Sequence, residues 1–155
     1  MKGELAKGNT ARQELSAYFC QLADSFGLPR SVALIYGTLF LAENPLPVSE
    51  IIEESGLSKG SVSSGLRLLE RMGFIHLVVD PSDRRTFYRP ELSMRRLTAG
   101  LIEENFTPAL KRGETLLDGV AKNSDLSDHL KTRLASLQSW NETALGLLPA
   151  LSLLD

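Results

Sequence analysis

The sequence predicts a mainly α-helical protein with a small β-hairpin wing, that is, a winged helix-turn-helix flanked by N- and C-terminal helices. Residues 48–71 read as two short helices joined by a turn of about three residues that contains Gly56, which is typical of a helix-turn-helix. Residues 74–79 and 84–88 read as two strands joined by the turn-forming residues 80–83. Leucine-rich helical spacing precedes and follows this centre, and 155 residues suffice for a real core.

The second helix, within residues 57–71, organises the prediction. Ser58 suits the N-cap, and an apolar stripe predicts the buried side: Val62, Leu66 and Leu69. The opposite face is small, polar and basic, and is formed by Gly60, Ser63, Ser64, Arg67 and Arg71. Two glycines in this helix cost roughly 1 kcal/mol each relative to alanine, so we expect something to press against the slim outer face. The DNA major groove, about 12 Å wide, admits such a helix. The alternative is a generic helix pair with a solvated basic face.

The flanking segments are expected to be helical. Residues 1–9 are polar and are expected to be loose. Thr10 could cap a helix that runs to Phe26 and ends at Gly27, with one apolar stripe made by Leu15, Tyr18, Phe19, Leu22 and Phe26. A second helix is expected over residues 29–42. Gly56 and Gly73 are expected just after the two helices of the helix-turn-helix.

The C-terminal third reads as two long helical stretches. Pro108 should kink or split residues 94–123 near residues 104–107. Asp125 or Ser127 should cap a last helix that Pro149 stops or distorts, with an apolar stripe made by Leu130, Leu134, Leu137, Trp140, Leu145 and Leu148. These leucines exceed what one layer over a small domain needs and predict a dimer interface; the alternative is an intrachain bundle. We therefore expect an N-terminal helix joining the dimerisation region (residues 1–28), a DNA-binding domain (29–93) and a dimerisation region (94–155).

Several motifs resemble those of a known family. LSKGSVS at residues 57–63, LERMGFI at residues 69–75 and the wing Asp83-Arg84-Arg85 are similar to the MarR family of bacterial transcription regulators. LPRS at residues 28–31 with IYGT at residues 35–38 resembles its GbsR-like branch, which includes regulators of glycine betaine synthesis. The similarity covers about residues 15–92. It implies a dimeric winged helix that binds double-stranded DNA, with recognition helices in the major groove and wings in the minor groove, and a ligand-responsive repressor.

Charge is distributed in a way that fits this function. The net charge is −2, but residues 58–96 hold eight Lys or Arg and four Asp or Glu, so this segment carries +4 and the remainder −6. The residues expected at the major groove and flanking phosphates are Lys59, Ser61, Ser63, Ser64 and Arg67. Arg84 and Arg85 belong to the wing, where Arg84 is the better minor-groove candidate and Asp83 is expected to orient it. The alternative function is a winged helix that contacts proteins without binding DNA.

Enzyme functions find no support in the sequence. His76 and His129 have no metal-ligand spacing, Ser63 and Ser64 lack a nearby base, and residues 56–60 lack the order of a phosphate-binding loop. We expect no cofactor and no metal, and His76 reads as a residue at the base of the wing. Cys20 is the single cysteine, which excludes an intrachain disulfide and leaves its redox role open. Without an apolar signal segment or an 18-residue apolar run, the cytoplasm is the expected compartment.

Aromatic residues raise the possibility of an effector site. The candidates are Tyr18, Phe19, Tyr36, Phe40 and Trp140. Resemblance to betaine-pathway regulators suggests choline or another quaternary ammonium, and aromatic faces attract such cations. The alternative, which the helical spacing favours, is that these rings fill the core.

Overall fold

The computed structural model describes the backbone of residues 2–151 and the side chains of residues 9–150. The chain divides into two compact units, residues 1–92 and residues 93–155. This division falls one residue before the boundary expected from the sequence. None of the helices among the described residues is long and apolar enough to cross a membrane.

The first unit is a winged helix-turn-helix, which confirms the predicted fold class. Its elements are α1 Lys2–Ser25, α2 Arg30–Leu41, β1 Leu46–Pro47, α3 Val48–Ser55, α4 Lys59–Arg71, β2 Ile75–Val79 and β3 Thr86–Pro90. The three strands form an antiparallel sheet in the order β1-β3-β2. Tyr88 of the central strand β3 pairs with Leu46 of β1 on one side and with Leu77 of β2 on the other. The sequence did not predict β1, because a strand of two residues carries no periodicity.

Glycines end three helices where the sequence placed them. Gly27, Gly56 and Gly73 follow α1, α3 and α4, and each adopts a left-handed backbone conformation with φ between 67° and 69°. Ser58 caps α4 as predicted, since its hydroxyl oxygen accepts the backbone N–H of Ser61 at 3.2 Å.

Two predicted boundaries were wrong. The first helix begins at Lys2, so residues 2–9 are helical and Thr10 lies inside the helix instead of capping it. The returning strand β3 begins at Thr86, two residues later than predicted. The cause is the wing turn, because the Asp83 carboxylate accepts the backbone N–H of Arg85 at 2.9 Å and so extends the turn through Arg84.

The second unit contains α5 Met94–Leu101, a π-helical turn Ile102–Phe106, α6 Thr107–Ala121 and α7 Asp128–Leu151. The π-helical turn lies where Pro108 was expected to disturb the helix. Ser127, and not Asp125, directly precedes α7, and its carbonyl accepts the N–H of Lys131 at 3.0 Å. Pro149 was expected to stop or distort the last helix. It does not stop the helix, since α7 continues past it to Leu151, and the distortion stays a prediction.

A close approach between α2 and α4 lies at the centre of the first unit. Ile35 of α2 is fully buried, as are Val62 and Leu69 of α4. Gly65 of α4 is buried beside them, and a Cβ added there would overlap Cδ1 of Ile35. Gly65 therefore serves internal packing, which corrects the expectation that both glycines of this helix keep its outer face slim. Gly60 remains on the exposed face, as predicted.

We expect Gly65→Ala to destabilise the protein. Overpacking a filled core costs about 1–3 kcal/mol, whereas the better helix propensity of alanine returns up to about 1 kcal/mol. The free energy of unfolding from urea titration should therefore fall, and Ile35→Val should restore part of the loss in the double variant, because it removes the overlapping Cδ1.

Gly60→Ala is the matched control in the same helix. An added Cβ there meets only the Ser58 hydroxyl oxygen at 4.0 Å, so its stability should rise by up to about 1 kcal/mol. A Gly65→Ala variant as stable as the Gly60→Ala variant would show that α4 does not need the close approach.

Candidate nucleic-acid interface

The exposed face of α4 carries the residues that the sequence predicted for the major groove. Lys59, Ser63, Ser64 and Arg67 are exposed, and none of them has a side-chain partner among the described residues. Ser61 differs, because its hydroxyl accepts a hydrogen bond from Ser58 at 3.0 Å and thereby takes part in the cap. The apolar stripe Val62, Leu66 and Leu69 is buried as predicted, so the polar side chains of α4 point away from the core.

The wing is organised by one ion pair. The guanidinium group of Arg85 donates to Asp83 from Nε at 2.9 Å and from Nη2 at 2.7 Å. The same group lies 5.2 Å from the ring centroid of Phe87 and 3.9 Å from the Glu50 carboxylate of α3. The hydrogen bonds from Arg85 lower the pKa of Asp83 and in turn raise the pKa of Arg85. Arg85 is therefore held in one orientation, with links to both the wing and the helix-turn-helix.

This geometry corrects one expectation about the wing. Asp83 was expected to orient Arg84, but it binds Arg85 instead, since the extended turn brings residue 85 back to the carboxylate. Arg84 is exposed and has no hydrogen-bond or ion-pair partner within the described part of the chain. The turn of the wing thus presents Arg84, which is unpaired within the described chain, and Arg85, which is preoriented. The contacts of Arg85 with Glu50 and Phe87 were missed, because no sequence spacing indicates a contact between α3 and the wing.

A second polar cluster fixes the base of the wing. His76 of β2 lies on the sheet, as expected, and its Nε2 is 2.9 Å from Oε2 of Glu91. Glu91 is buried, and its backbone carbonyl accepts the Tyr36 hydroxyl of α2 at 2.6 Å. Burial, with a smaller contribution from the Glu91 charge, raises the pKa of Tyr36 to about 12. The chain segment after β3 is thereby attached to α2. Glu91 was missed, because a single acid at a strand end carries no pattern.

Four of the five proposed effector residues lie in the first unit and form one aromatic cluster, in which Tyr18 meets Phe19 at 6.0 Å between ring centroids. The rings of Phe19, Tyr36 and Phe40 pack against one another, with Phe19 meeting Tyr36 at 5.2 Å and Phe40 at 5.0 Å between centroids in edge-on contacts. Tyr18 is 53% exposed. Trp140 lies in the second unit and is 60% exposed. The mutual packing of Phe19, Tyr36 and Phe40 is what a core aromatic cluster requires.

Comparisons with known proteins agree with this architecture. A sequence profile of the MarR family matches residues 39–86, which contain the helix-turn-helix and the wing turn. The chain is 24% identical over 121 residues to the HTH-type transcriptional repressor OpcR of Bacillus subtilis (strain 168), which covers 78% of this chain and 64% of that protein. It is 28% identical over 86 residues to the HTH-type transcriptional repressor GbsR of the same strain, which covers 56% of this chain and 43% of that protein. The chain thus spans less than two thirds of the length of each relative.

The fold has a solved counterpart. A crystal structure of a transcriptional regulator aligns with a TM-score of 0.70 at 22% identity and covers 91% of this chain and 95% of that chain. The likeness confirms the fold. The profile and the two relatives confirm the resemblance to the MarR family and to its GbsR-like branch that the motifs predicted.

We expect Tyr36→Phe to lower the free energy of unfolding by about 1 kcal/mol at neutral pH, because the Glu91 carbonyl loses its buried donor. A pKa raised in the folded state favours the neutral phenol, so this contribution to stability is present below pH 10 and is lost as the pH rises to about 12. Urea titrations across that range should therefore show a steeper loss of stability in the parent than in the variant.

Tyr18→Phe is the matched control, since that hydroxyl bonds to no described residue. It should leave the neutral-pH stability unchanged. Equal stability of the Tyr36→Phe variant and the parent would contradict a structural role of the hydrogen bond to Glu91.

Proposed function

We propose that this chain is a sequence-specific, double-stranded DNA-binding transcription regulator that acts as a homodimer. The observation that carries the proposal is the set of uncompensated cations on the two surfaces that a winged helix turns toward DNA. Lys59 and Arg67 on α4, and Arg84 on the wing, have no anionic partner among the described residues. Exposed cations that have no partner within the protein are available to bind DNA phosphates and the edges of bases in the grooves.

The roles follow from where each side chain lies. Lys59, Ser61, Ser63, Ser64 and Arg67 line the exposed face of a helix whose width suits the major groove. Arg84 and Arg85 project from the wing turn, and a narrow minor groove attracts arginine through its negative potential. The positive charge of Arg85 is partly neutralised by the carboxylates of Asp83 and Glu50. Arg84 therefore attracts DNA more strongly than Arg85 does.

Two uncovered apolar stripes support a homodimer. Leu15, Tyr18 and Leu22 of α1, and Phe26 just after it, belong to the apolar stripe predicted for this helix and are between 37% and 53% exposed. On α7, the exposed side chains are Leu130, Leu137, Trp140 and Leu147, which fall within about 100° of arc at helical spacing. Leu134 and Leu145 are partly buried instead, on the side of α7 where Asn141 bonds to α6. Contiguous apolar surface of this kind marks a protein interface.

Repression is proposed because both relatives are named as repressors. We include a small-molecule effector in the proposal because the chain resembles the GbsR-like branch. The aromatic quaternary-ammonium site stays a prediction, and the edge-on packing of Phe19 with Tyr36 and Phe40 favours a core role for these three rings.

We expect Arg67→Ala and Arg84→Ala each to weaken DNA binding by about 1–3 kcal/mol without lowering the thermal midpoint. Both side chains are exposed and make no contact that stabilises the fold. A duplex obtained by selection from random DNA would serve as the probe, with fluorescence anisotropy measured over a range of salt. Lys122→Ala, which removes an exposed cation from the end of α6, is the control and should bind like the parent.

The outcomes separate the alternatives. Unchanged affinity with Arg84→Ala, together with a loss for Arg85→Ala, would move the minor-groove contact to Arg85. A failure to enrich any duplex, or a logarithm of affinity that does not fall linearly with the logarithm of salt, would argue for the protein-contact module instead.

We expect Leu137→Asp to convert the dimer to monomers and to abolish operator binding. A charge placed in an apolar interface must be desolvated, and two recognition helices address half-sites about 34–36 Å apart only when they are linked. Leu137 is 48% exposed in the chain, so the monomer should still fold. Sedimentation equilibrium and circular dichroism measure both properties.

Ser139→Asp is the matched control on the opposite side of α7, where serine is also exposed. It should remain dimeric. A Leu137→Asp variant that stays dimeric and binds DNA would place the interface elsewhere.

A further inference from the structure

A cationic side chain joins α1 to α2 at the open end of the hairpin that these two helices form. Nη2 of Arg12 donates to the backbone carbonyl of Leu41, the last residue of α2, at 2.9 Å. If α2 continued, this carbonyl would accept the N–H of residue 45, which is Pro45 and has none. The last turn of α2 contains no basic residue of its own. Arg12 therefore supplies both a donor and the positive charge that a helix C-terminus favours.

Toward the closed end of the hairpin, the contact between α1 and α2 is apolar. Cys20, Ala23 and Ala33 form a buried cluster there. The N–H of Leu28 donates to the Ala23 carbonyl at 2.8 Å where the chain turns toward α2. The hydrophobic effect is non-directional, so burial of this cluster specifies the angle between the helices less sharply than a hydrogen bond at the open end does.

The distance between the two ends makes the bond of Arg12 effective. Arg12 lies 13 residues before Ser25, the last residue of α1, so about 20 Å of helix separates them. A swing of α1 by about 10° at the closed end would displace the Arg12 end by about 3.5 Å. This displacement equals the rise of one DNA base pair, about 3.4 Å.

α1 turns separate faces toward α2 and toward solvent. Arg12 and Ala23 both face α2 and lie within about 20° of each other on the helix. The exposed apolar residues Leu15, Tyr18 and Leu22 fall within about 60° of arc, on a face about 100° away. The angle of α1 on α2 therefore sets the direction of this apolar stripe relative to the first unit.

We infer that Arg12 is a positioning residue, whose bond to α2 fixes the direction in which α1 meets a second copy of the chain and thereby the spacing of the two recognition helices. The mechanical link is contiguous, because α2 contacts α4 where Ile35 packs against Gly65. The inference rests on the proposed homodimer that binds DNA. Its recognition helices must lie about 34–36 Å apart, so a loosened α1 spreads this distance and fewer molecules match a given site.

The first test reads the bond without DNA, as the distance between spin labels attached after Gln13→Cys and Glu43→Cys in a Cys20→Ala background. Both labelled positions are exposed, and an excess of unlabelled chain restricts the reading to distances within one chain. The parent should give one narrow distribution. Arg12→Met removes the donor and should broaden it by about 3.5 Å, the displacement of a 10° swing, whereas Arg12→Lys should fall between the two. Arg112→Met makes the same change at an exposed arginine of α6 and should match the parent.

The second test uses the duplex selected from random DNA, derivatives with the half-sites moved together or apart by one and two base pairs, and a single half-site. A surface cation at a helix C-terminus changes an equilibrium about two- to fivefold, and a site with two half-sites requires both protomers. Arg12→Met should therefore lose about four- to twenty-five-fold in affinity at the parental spacing. It should lose less at the other spacings and bind the single half-site like the parent, as anisotropy measures.

The outcomes distinguish this inference from the proposed function. Label distances as narrow in Arg12→Met as in the parent would overturn the fixing of α1 by Arg12, whether or not the chain binds DNA. A loss that is equal on every duplex, including the single half-site, would reveal general destabilisation and overturn the positioning role, as would an unchanged spacing preference. A parent that enriches no duplex would contradict the proposed function and with it the role of Arg12 in DNA binding, while the label distances still decide the bond.

Discussion

The contact between Gly65 of α4 and Ile35 of α2 is the constraint on which the presentation of the recognition helix depends. The Cδ1 of the fully buried Ile35 fills the place where a Cβ of residue 65 would be, so a side chain there would require Ile35 to shift within a filled core. The stripe Val62, Leu66 and Leu69 is buried by the same approach. Because side chains repeat every 3.6 residues, burying this stripe forces Ser63, Ser64 and Arg67 outward. The internal packing of α4 thus determines which residues it offers to a partner.

Electrostatics divides the wing arginines into two kinds. Arg85 is fixed between Asp83, Glu50 and the ring of Phe87, so its side-chain freedom is already restricted in the free protein. Arg84 has no hydrogen-bond or ion-pair partner among the described residues. Preorganisation reduces the entropy lost on binding, whereas an unpaired cation contributes more to attraction over distance. The tip of one hairpin therefore combines a preoriented arginine with an unpaired one, and Glu50 links that hairpin to the helix-turn-helix.

The two compact units each leave apolar surface uncovered, on α1 in the first and on α7 in the second. Folding of a single chain normally covers such stripes, because exposed leucine and aromatic side chains lose the hydrophobic free energy of burial. The apolar stripes and the unpaired cations form separate surfaces. An apolar surface suits association with a second copy of the chain, and a cationic surface suits association with a polyanion. The relatives that it matches are longer than this chain, and the family profile matches residues within the winged helix.

The sequence by itself determined the elements and their caps. Ser58, Gly56 and Gly73 act through local backbone chemistry, and the 3.6-residue period of Val62, Leu66 and Leu69 specifies a buried face without knowledge of any neighbour. The exposed cations of α4 follow from the same period. Only the tertiary structure decided that Gly65 accommodates Ile35, that Arg85 reaches Glu50 of α3, that Leu15 and Tyr18 stay uncovered, and that Asn141 bonds to α6. These features depend on which distant residues meet across packed elements, and periodicity along one chain segment contains no information about the partner.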